Sequence, residues 1–127
     1  MNGKQILIID DDVAFTEMLA EILKAEGAEV MVEHDGAAGI EQALRVHPDM
    51  LLIDVMMPRM SGISVLEQLR GDDWGKGVPA LLLTNMTQPE AMAASMEKGP
   101  PTEYLLKTDW TLDQISEKVK QLLATQE

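Results

Sequence analysis

Five short apolar runs, separated by longer stretches of helical periodicity, most constrain what this chain can fold into. The runs cover residues 5–9, 29–33, 50–53, 80–83 and 104–106. Each is continuous or nearly continuous in apolar character, which is typical of strands that are covered on both faces. Strands that alternate with helices along a chain predict an α/β domain, in which a parallel sheet has helices on both faces.

The stretches between the apolar runs have the spacing of amphipathic helices. In the first, Phe15, Leu19 and Leu23 share one face, and Gly27 is a suitable residue to end the helix. The other predicted helices cover residues 37–46, 63–70, 90–98 and about 110–124. The whole chain is therefore expected to form one domain over residues 1–127, with its first strand within about 4–10.

The charge of the chain excludes some classes of partner. Twenty-two acidic and ten basic residues give a formal net charge of −12, which works against direct binding of nucleic-acid phosphates or an anionic membrane surface. The sequence has no cysteine, so disulfide and thiolate chemistry are impossible, and a cytoplasmic location is expected. No segment is long and apolar enough to suggest a membrane span.

Polar residues cluster where the predicted strands end. They are Asp10, Asp11 and Asp12 after the first strand, Asp54 after the third, Thr84 after the fourth and Lys107 after the fifth. In open parallel sheets, ligands bind outside the carboxyl ends of the strands, so we expect these side chains to share one edge. Adjacent carboxylates repel each other and need a metal ion, hydrogen-bond donors or solvent to compensate. For Asp12, a helix N-cap role and a spectator role both remain open.

Four segments in order resemble the response-regulator receiver domains of two-component signalling. They are "ILIIDDD", "HPDMLLIDVMMPRMSG", "VPALLLTN" and "EYLLKT", and together they extend the resemblance over nearly the whole chain. The resemblance implies a (βα)5 fold: a doubly wound, five-stranded parallel sheet with the flavodoxin-like strand order 2-1-3-4-5.

The resemblance also implies a phosphoacceptor site at this edge. Asp54 matches the aspartate that accepts a phosphoryl group from a phosphohistidine of a sensor kinase or phosphotransfer protein. Asp10 and Asp11 match the acidic pair that holds Mg²⁺ or Mn²⁺, with Asp54 and the backbone carbonyl of Met56 as further ligands. The chemistry is consistent, because Mg²⁺ prefers oxygen ligands and retains several waters, and because a carboxylate approaches a negatively charged phosphoryl group only when charge is neutralised.

Further residues match positions that act on the phosphoryl group or respond to it. Lys107 and the Thr84 hydroxyl would contact phosphoryl oxygens as a charge and a hydrogen-bond donor. Thr84 and Tyr104 match a pair that couples phosphorylation to a change of surface. Met56 and Met86 match the positions that flank the path of the attacking water, and neither side chain forms strong hydrogen bonds. We therefore expect slow hydrolysis of the phosphorylated form.

The resemblance implies a regulatory domain rather than an enzyme with a separate substrate. Its phosphodonor would be a histidine kinase or a histidine phosphotransfer protein, and its downstream target would be a protein that the sequence does not identify. Related domains self-associate through the fourth helix, fifth strand and fifth helix, so a homodimer through these elements is an open option. No output domain follows in this sequence, so both a standalone regulator and a receiver from a longer chain are considered.

Other functions fit parts of the pattern. A haloacid-dehalogenase-like Mg²⁺ phosphatase would use Asp10 as its nucleophile, in the motif Asp10-Asp11-Asp12-Val13. Such an enzyme needs a further acidic pair beyond the lysine and is generally longer than this chain. A flavodoxin-type FMN binder needs a Ser/Thr-rich loop after the first strand, where the three carboxylates would repel the phosphate. A degenerate receiver domain that is never phosphorylated is a further alternative, although every position that carries the chemistry has a suitable residue.

The chain departs from the resembled pattern after the lysine. The family usually has a Lys-Pro pair joined by a cis peptide bond, whereas Lys107 is followed by Thr108. A cis bond without proline costs ~2.5–4 kcal/mol. The sequence therefore leaves two paths for this loop, a cis bond or a different route through a trans bond.

Overall fold

The structure is a computed structural model that describes residues 1–85 and 101–125. Its strands are β1 (Gln5–Ile9), β2 (Glu29–Glu33), β3 (Met50–Asp54), β4 (Ala80–Thr84) and β5 (Glu103–Leu106). Its helices are α1 (Val13–Ala25), α2 (Gly36–Val46), α3 (Gly62–Arg70) and a C-terminal helix (Leu112–Ala124), which follows a short 3-10 turn at Lys107–Asp109.

The five strands form one parallel sheet in the order β2-β1-β3-β4-β5. This arrangement confirms the doubly wound α/β fold and the predicted strand order. The order changes direction between β1 and β3, because the chain first adds β2 on one side of β1 and then builds outward on the other side. A crevice for ligands is expected at this point, beyond the carboxyl ends of β1 and β3.

The sheet is covered on both faces, as its apolar strands predict. All five residues of β3 and of β4 are buried, which places these two strands at the centre of the domain. One core cluster joins alternate strand residues to α2 and α3. The other joins the intervening strand residues to α1 and the C-terminal helix. Asp54 and Lys107 keep the every-second-residue spacing of the strand residues in the second cluster. The face of the sheet that this cluster covers therefore ends at the predicted site.

Hydrogen-bonded caps set where the helices begin. The carboxylate of Asp12 accepts a hydrogen bond from the Phe15 backbone N–H at 3.0 Å, which makes Asp12 the N-cap of α1. Thr111 and Gln114 form a reciprocal capping box, so the C-terminal helix begins at Leu112, after Trp110 rather than with it.

Some sequence predictions fall on residues 86–100, which lie outside the described residues. They are the predicted helix at 90–98 and Met86. In the parts of the chain that the structure describes, no helix has the length and apolar character required to cross a membrane.

Candidate functional site

The carboxyl edge of the sheet brings most of the predicted site residues together. Asp10 directly follows β1 and is fully buried, while Asp54 is the last residue of β3 and is 4% exposed. The neighbouring Asp11 is exposed to solvent. Carboxylate oxygens of these three residues lie within 4.8 Å of one another. Two buried carboxylates and one exposed carboxylate therefore form a single acidic pocket that opens to solvent at Asp11.

Lys107 brings a positive charge into this pocket from the 3-10 turn after β5. Its ammonium donates a hydrogen bond to Asp10 Oδ2 at 2.8 Å and lies 3.7 Å from Asp54 Oδ1. The lysine side chain is 12% exposed, so solvent weakens these interactions less than it would at the surface. The ammonium partly offsets the repulsion between the two buried carboxylates.

Backbone N–H groups also stabilise the two buried carboxylates. The Asp12 N–H donates to Asp10 Oδ1 at 2.9 Å, and the Met56 N–H donates to Asp54 Oδ1 at 3.3 Å. The Met56 side chain is largely exposed beside the pocket. The proposed use of the Met56 carbonyl as a metal ligand remains a prediction.

The environment of Asp54 makes its ionised form costly. Burial, followed by the charge of Asp10, raises the pKa of the Asp54 carboxyl from 3.8 to about 7, although Lys107 and the Met56 N–H act in the opposite direction. Without an added cation, Asp54 therefore holds its proton at a pH where an exposed aspartate has lost it. A divalent cation at the pocket would favour the ionised carboxylate.

Thr84 and Tyr104 lie on β4 and β5, two strands that pair with each other. Thr84 is fully buried at the end of β4, and Tyr104 on β5 is half-buried. Tyr104 is the register partner of Leu82, two residues before Thr84, so the Thr84 and Tyr104 side chains leave the same face of the sheet. The Tyr104 ring packs against the core cluster on that face.

The loop after β5 takes the trans path. No peptide bond among the described residues is cis, so the Lys107–Thr108 bond is trans, and the chain turns through the 3-10 segment Lys107–Asp109. Trp110 follows this turn and packs against the core beneath α1 and the C-terminal helix.

Three residues near the pocket were not predicted from the sequence as parts of it. The Phe15 ring lies against the Lys107 ammonium, with 4.3 Å between Nζ and the ring centroid. His34 Nδ1 is 3.0 Å from the backbone carbonyl oxygen of Asp10. Gly62 lies directly against the backbone of Asp54. Periodicity assigned Phe15 to a core face, and the other two contacts depend on loop paths that the sequence does not specify.

Gly62 allows α3 to begin beside the phosphoacceptor candidate. A Cβ atom at this position would lie 2.1 Å from the Asp54 carbonyl oxygen, and the Gly62 N–H donates to the Val55 carbonyl at 3.0 Å. We expect Gly62→Ala to destabilise the protein by about 1–3 kcal/mol, because backbone atoms must move to relieve the overlap. Urea unfolding measures this change. Gly77→Ala is the control, since a Cβ there meets no atom within 4 Å; equal stability of the two variants would contradict the close packing.

The sequence and the structure identify the class of this protein. Residues 6–120 match the response regulator receiver domain family. The chain belongs to this family, and its fold and the acidic pocket at the carboxyl edge of the sheet agree with that membership.

Individual relatives show what the chain is similar to. It is 36% identical over 104 residues to the DNA-binding response regulator MtrA of Mycobacterium tuberculosis, and the match covers 82% of this chain and 44% of MtrA. It is 35% identical over 119 residues to the response regulator MprA of the same species, with 94% of this chain and 50% of MprA covered. The chain thus spans about half the length of these relatives.

Solved structures share the fold over almost the full chain. A putative response regulator from Chloroflexus aurantiacus has a TM-score of 0.85 and 31% identity, with 97% of this chain and 99% of that chain covered. A CheY-like receiver domain protein from Methanospirillum hungatei has a TM-score of 0.88 and 27% identity, with 98% of this chain and 97% of that chain covered.

Proposed function

We propose that this receiver domain, taken as one unit over residues 1–127, accepts a phosphoryl group on Asp54 from a phosphohistidine of a sensor kinase or phosphotransfer protein. The observation that carries the proposal is the pocket itself, where Asp10, Asp11 and Asp54 converge and the Lys107 ammonium lies between the two buried carboxylates. In the transfer, an Asp54 oxygen bonds to phosphorus as the P–N bond breaks, and the electron pair of that bond stays on the imidazole, which takes up a proton.

The pocket fits a Mg²⁺ ion. Its donors are carboxylate oxygens, and the exposed Asp11 leaves room for the waters that Mg²⁺ retains. Asp10, Asp11, Asp54 and the Met56 carbonyl would hold the ion, and Mn²⁺ could replace it. The bound ion would supply charge neutralisation for the carboxylates and the incoming phosphoryl oxygens.

Lys107 and Thr84 complete the chemistry on the protein side. The Lys107 ammonium is already within 3.7 Å of an Asp54 oxygen, so only a short movement would bring it to a phosphoryl oxygen on that residue. The Thr84 hydroxyl, at the end of the adjacent strand, would donate a hydrogen bond to another phosphoryl oxygen.

The positions of Thr84 on β4 and Tyr104 on β5 support a coupling between phosphorylation and a change of the protein surface. Thr84 and Tyr104 share a face of the sheet, and Tyr104 is half-buried rather than fixed in the centre of the core. We propose that a Thr84 hydroxyl drawn toward the phosphoryl group leaves space for the Tyr104 ring to move inward. The altered surface would then bind a downstream protein, and a homodimer through the fourth predicted helix, β5 and the C-terminal helix is a further proposal.

The residues beside the pocket favour a long-lived phosphorylated form. Met56 is 58% exposed next to Asp54, and its thioether cannot orient an attacking water by a strong hydrogen bond. Met86, the other position proposed to flank the path of the water, lies outside the described residues. Slow hydrolysis is therefore proposed as a property of this chain.

A phosphatase with Asp10 as nucleophile is not favoured. Asp10 has no solvent exposure, and its two carboxylate oxygens accept hydrogen bonds from Lys107 and from the Asp12 N–H. Residues 6–120 also match the receiver domain family, which favours a regulatory domain that catalyses only its own phosphorylation.

The proposal is tested by phosphorylation with a small donor. Acetyl phosphate and Mg²⁺ are expected to add one phosphoryl group to the wild-type protein, detected by intact mass. Asp54→Asn and chelation of the cation should each abolish the addition, whereas Asp73→Asn, at an exposed carboxylate, should not change it. Removal of the donor then gives the lifetime of the phosphorylated form, which we expect to be long; Mg²⁺-independent labelling or full labelling of the Asp54→Asn variant would contradict the proposal.

A further inference from the structure

The ring of Phe15 contacts the lysine of the pocket directly. Lys107 Nζ lies 4.3 Å from the centroid of the ring, well within the distance of about 6 Å at which an aromatic face attracts a cation. Phe15 lies in the first turn of α1, where its backbone N–H is bound by the capping carboxylate of Asp12. The ring also packs against the core beneath α1, so both its backbone and its side chain are held in place.

The three described contacts of the ammonium differ in how they respond to a bound cation. Asp10 and Asp54 are carboxylates of the acidic pocket, and a divalent ion there would compete for their oxygens and repel the ammonium. The Phe15 ring carries no charge and offers no ligand to Mg²⁺. Its attraction for the ammonium therefore persists when the carboxylates are engaged by a metal ion.

We propose that Phe15 is a positioning residue that keeps the Lys107 ammonium at the pocket while the carboxylates are occupied by the metal. The ammonium is then already near Asp54 when the phosphoryl group arrives, instead of moving out to solvent. This inference rests on the proposed function, because it concerns the same phosphoryl transfer.

The proposal depends on the electronic character of the ring, which separates it from simple packing. Leucine would fill much of the same space without a negatively charged face, whereas tryptophan and tyrosine retain such a face. Phe15 is the only phenylalanine in the sequence. Residue-specific incorporation of fluorinated phenylalanine thus changes this ring alone, and each added fluorine weakens the negative potential of its face with little change in shape.

The experiment compares wild-type protein with forms that carry one, two or three fluorines on Phe15. At saturating Mg²⁺ and subsaturating acetyl phosphate, the phosphorylation rate should fall stepwise, by about two- to tenfold over the series. The phosphorylation rate of Phe15→Leu should be as low as that of the most fluorinated form, whereas Phe15→Trp should retain the wild-type rate. The Mg²⁺ affinity should stay within about twofold throughout, because the ring is not a metal ligand.

Two controls separate positioning from stability. Thermal unfolding of each fluorinated form should match wild type, and Met18→Leu, at an exposed position on the same helix, should leave the rate unchanged. The ¹⁹F resonance of the monofluorinated ring should also shift in a Lys107→Met background, since the ammonium leaves its face.

The outcomes are distinguishable. If wild type and all the fluorinated forms are phosphorylated on Asp54 at the same rate, the role of Phe15 is overturned, but the proposed function is not. Equal rates for Phe15→Leu and Phe15→Trp would overturn the role of Phe15 as well. A wild-type protein that takes no phosphoryl group on Asp54 would overturn the proposed function, and this inference with it.

Discussion

Asp54→Asn should make the metal-free protein more stable at pH 8, by roughly 1–3 kcal/mol in the free energy of unfolding. Burial and the charge of Asp10 raise the pKa of Asp54 to about 7, above the value of 3.8 that holds for an exposed carboxyl. Between pH 3.8 and about pH 7, the folded protein keeps a proton on Asp54 that the unfolded chain has lost. The contribution of Asp54 to stability therefore declines as pH rises from about 4 to 7, and asparagine removes this cost.

The advantage of the asparagine variant should depend on pH and on Mg²⁺. Near pH 4 the wild-type carboxyl is protonated in the folded state, so the two proteins should differ little. At pH 8, saturating Mg²⁺ should stabilise wild type more than the variant, because the ion binds the ionised pocket of the folded state. Urea unfolding at several pH values, with and without Mg²⁺, measures both effects.

The matched control for this prediction is Asp73→Asn, which neutralises a fully exposed carboxylate. It should change stability by less than about 0.5 kcal/mol at any pH. An Asp54→Asn variant that is less stable than wild type at pH 8 would contradict the account of the pocket. A gain in stability that is independent of pH would do so too.

Lys107→Met should slow phosphorylation by about 10²-fold or more at saturating Mg²⁺, because it removes an ammonium that lies 3.7 Å from Asp54 Oδ1. The same change should leave Mg²⁺ affinity equal or make it tighter. The ammonium binds Asp10 at 2.8 Å and so competes with the metal ion for that carboxylate. The phosphorylation rate and the metal affinity should therefore move in opposite directions.

The rate is measured from intact mass during reaction with acetyl phosphate, and the Mg²⁺ affinity from titration of Trp fluorescence. Lys76→Met is the control, since this exposed lysine pairs only with the exposed Asp73 among the described ion pairs. Loss of Mg²⁺ affinity in Lys107→Met, or an unchanged rate, would show that the lysine does not act as proposed.

The fold was largely predictable because its strands are buried on both faces and are therefore apolar throughout. The run at residues 50–53 followed by Asp54 indicates both a central strand and the point at which it ends. The strand ends in turn placed Asp10, Asp54 and Lys107 at one edge, and the structure brings these three together. The resemblance supplied the strand order, which periodicity alone does not give.

Contacts across loops were not predictable in the same way. Asp12 and Asp11 are adjacent and chemically identical, yet one caps α1 and the other lies in the acidic pocket. Only the path of the backbone after β1 separates their roles. Phe15 meets Lys107 because the first turn of α1 and the 3-10 turn after β5 come together at the carboxyl edge of the sheet. Helix periodicity predicts only that such a residue faces inward.

Identification of the residue that carries the phosphoryl group decides whether Asp54 is the acceptor. After reaction with acetyl phosphate and Mg²⁺, borohydride reduces an aspartyl phosphate to homoserine with release of phosphate, and peptide mass spectrometry locates the altered residue. We predict homoserine at position 54 in the wild-type protein. Homoserine at position 10 would indicate a phosphatase-like nucleophile, and its absence from position 54 would contradict the account.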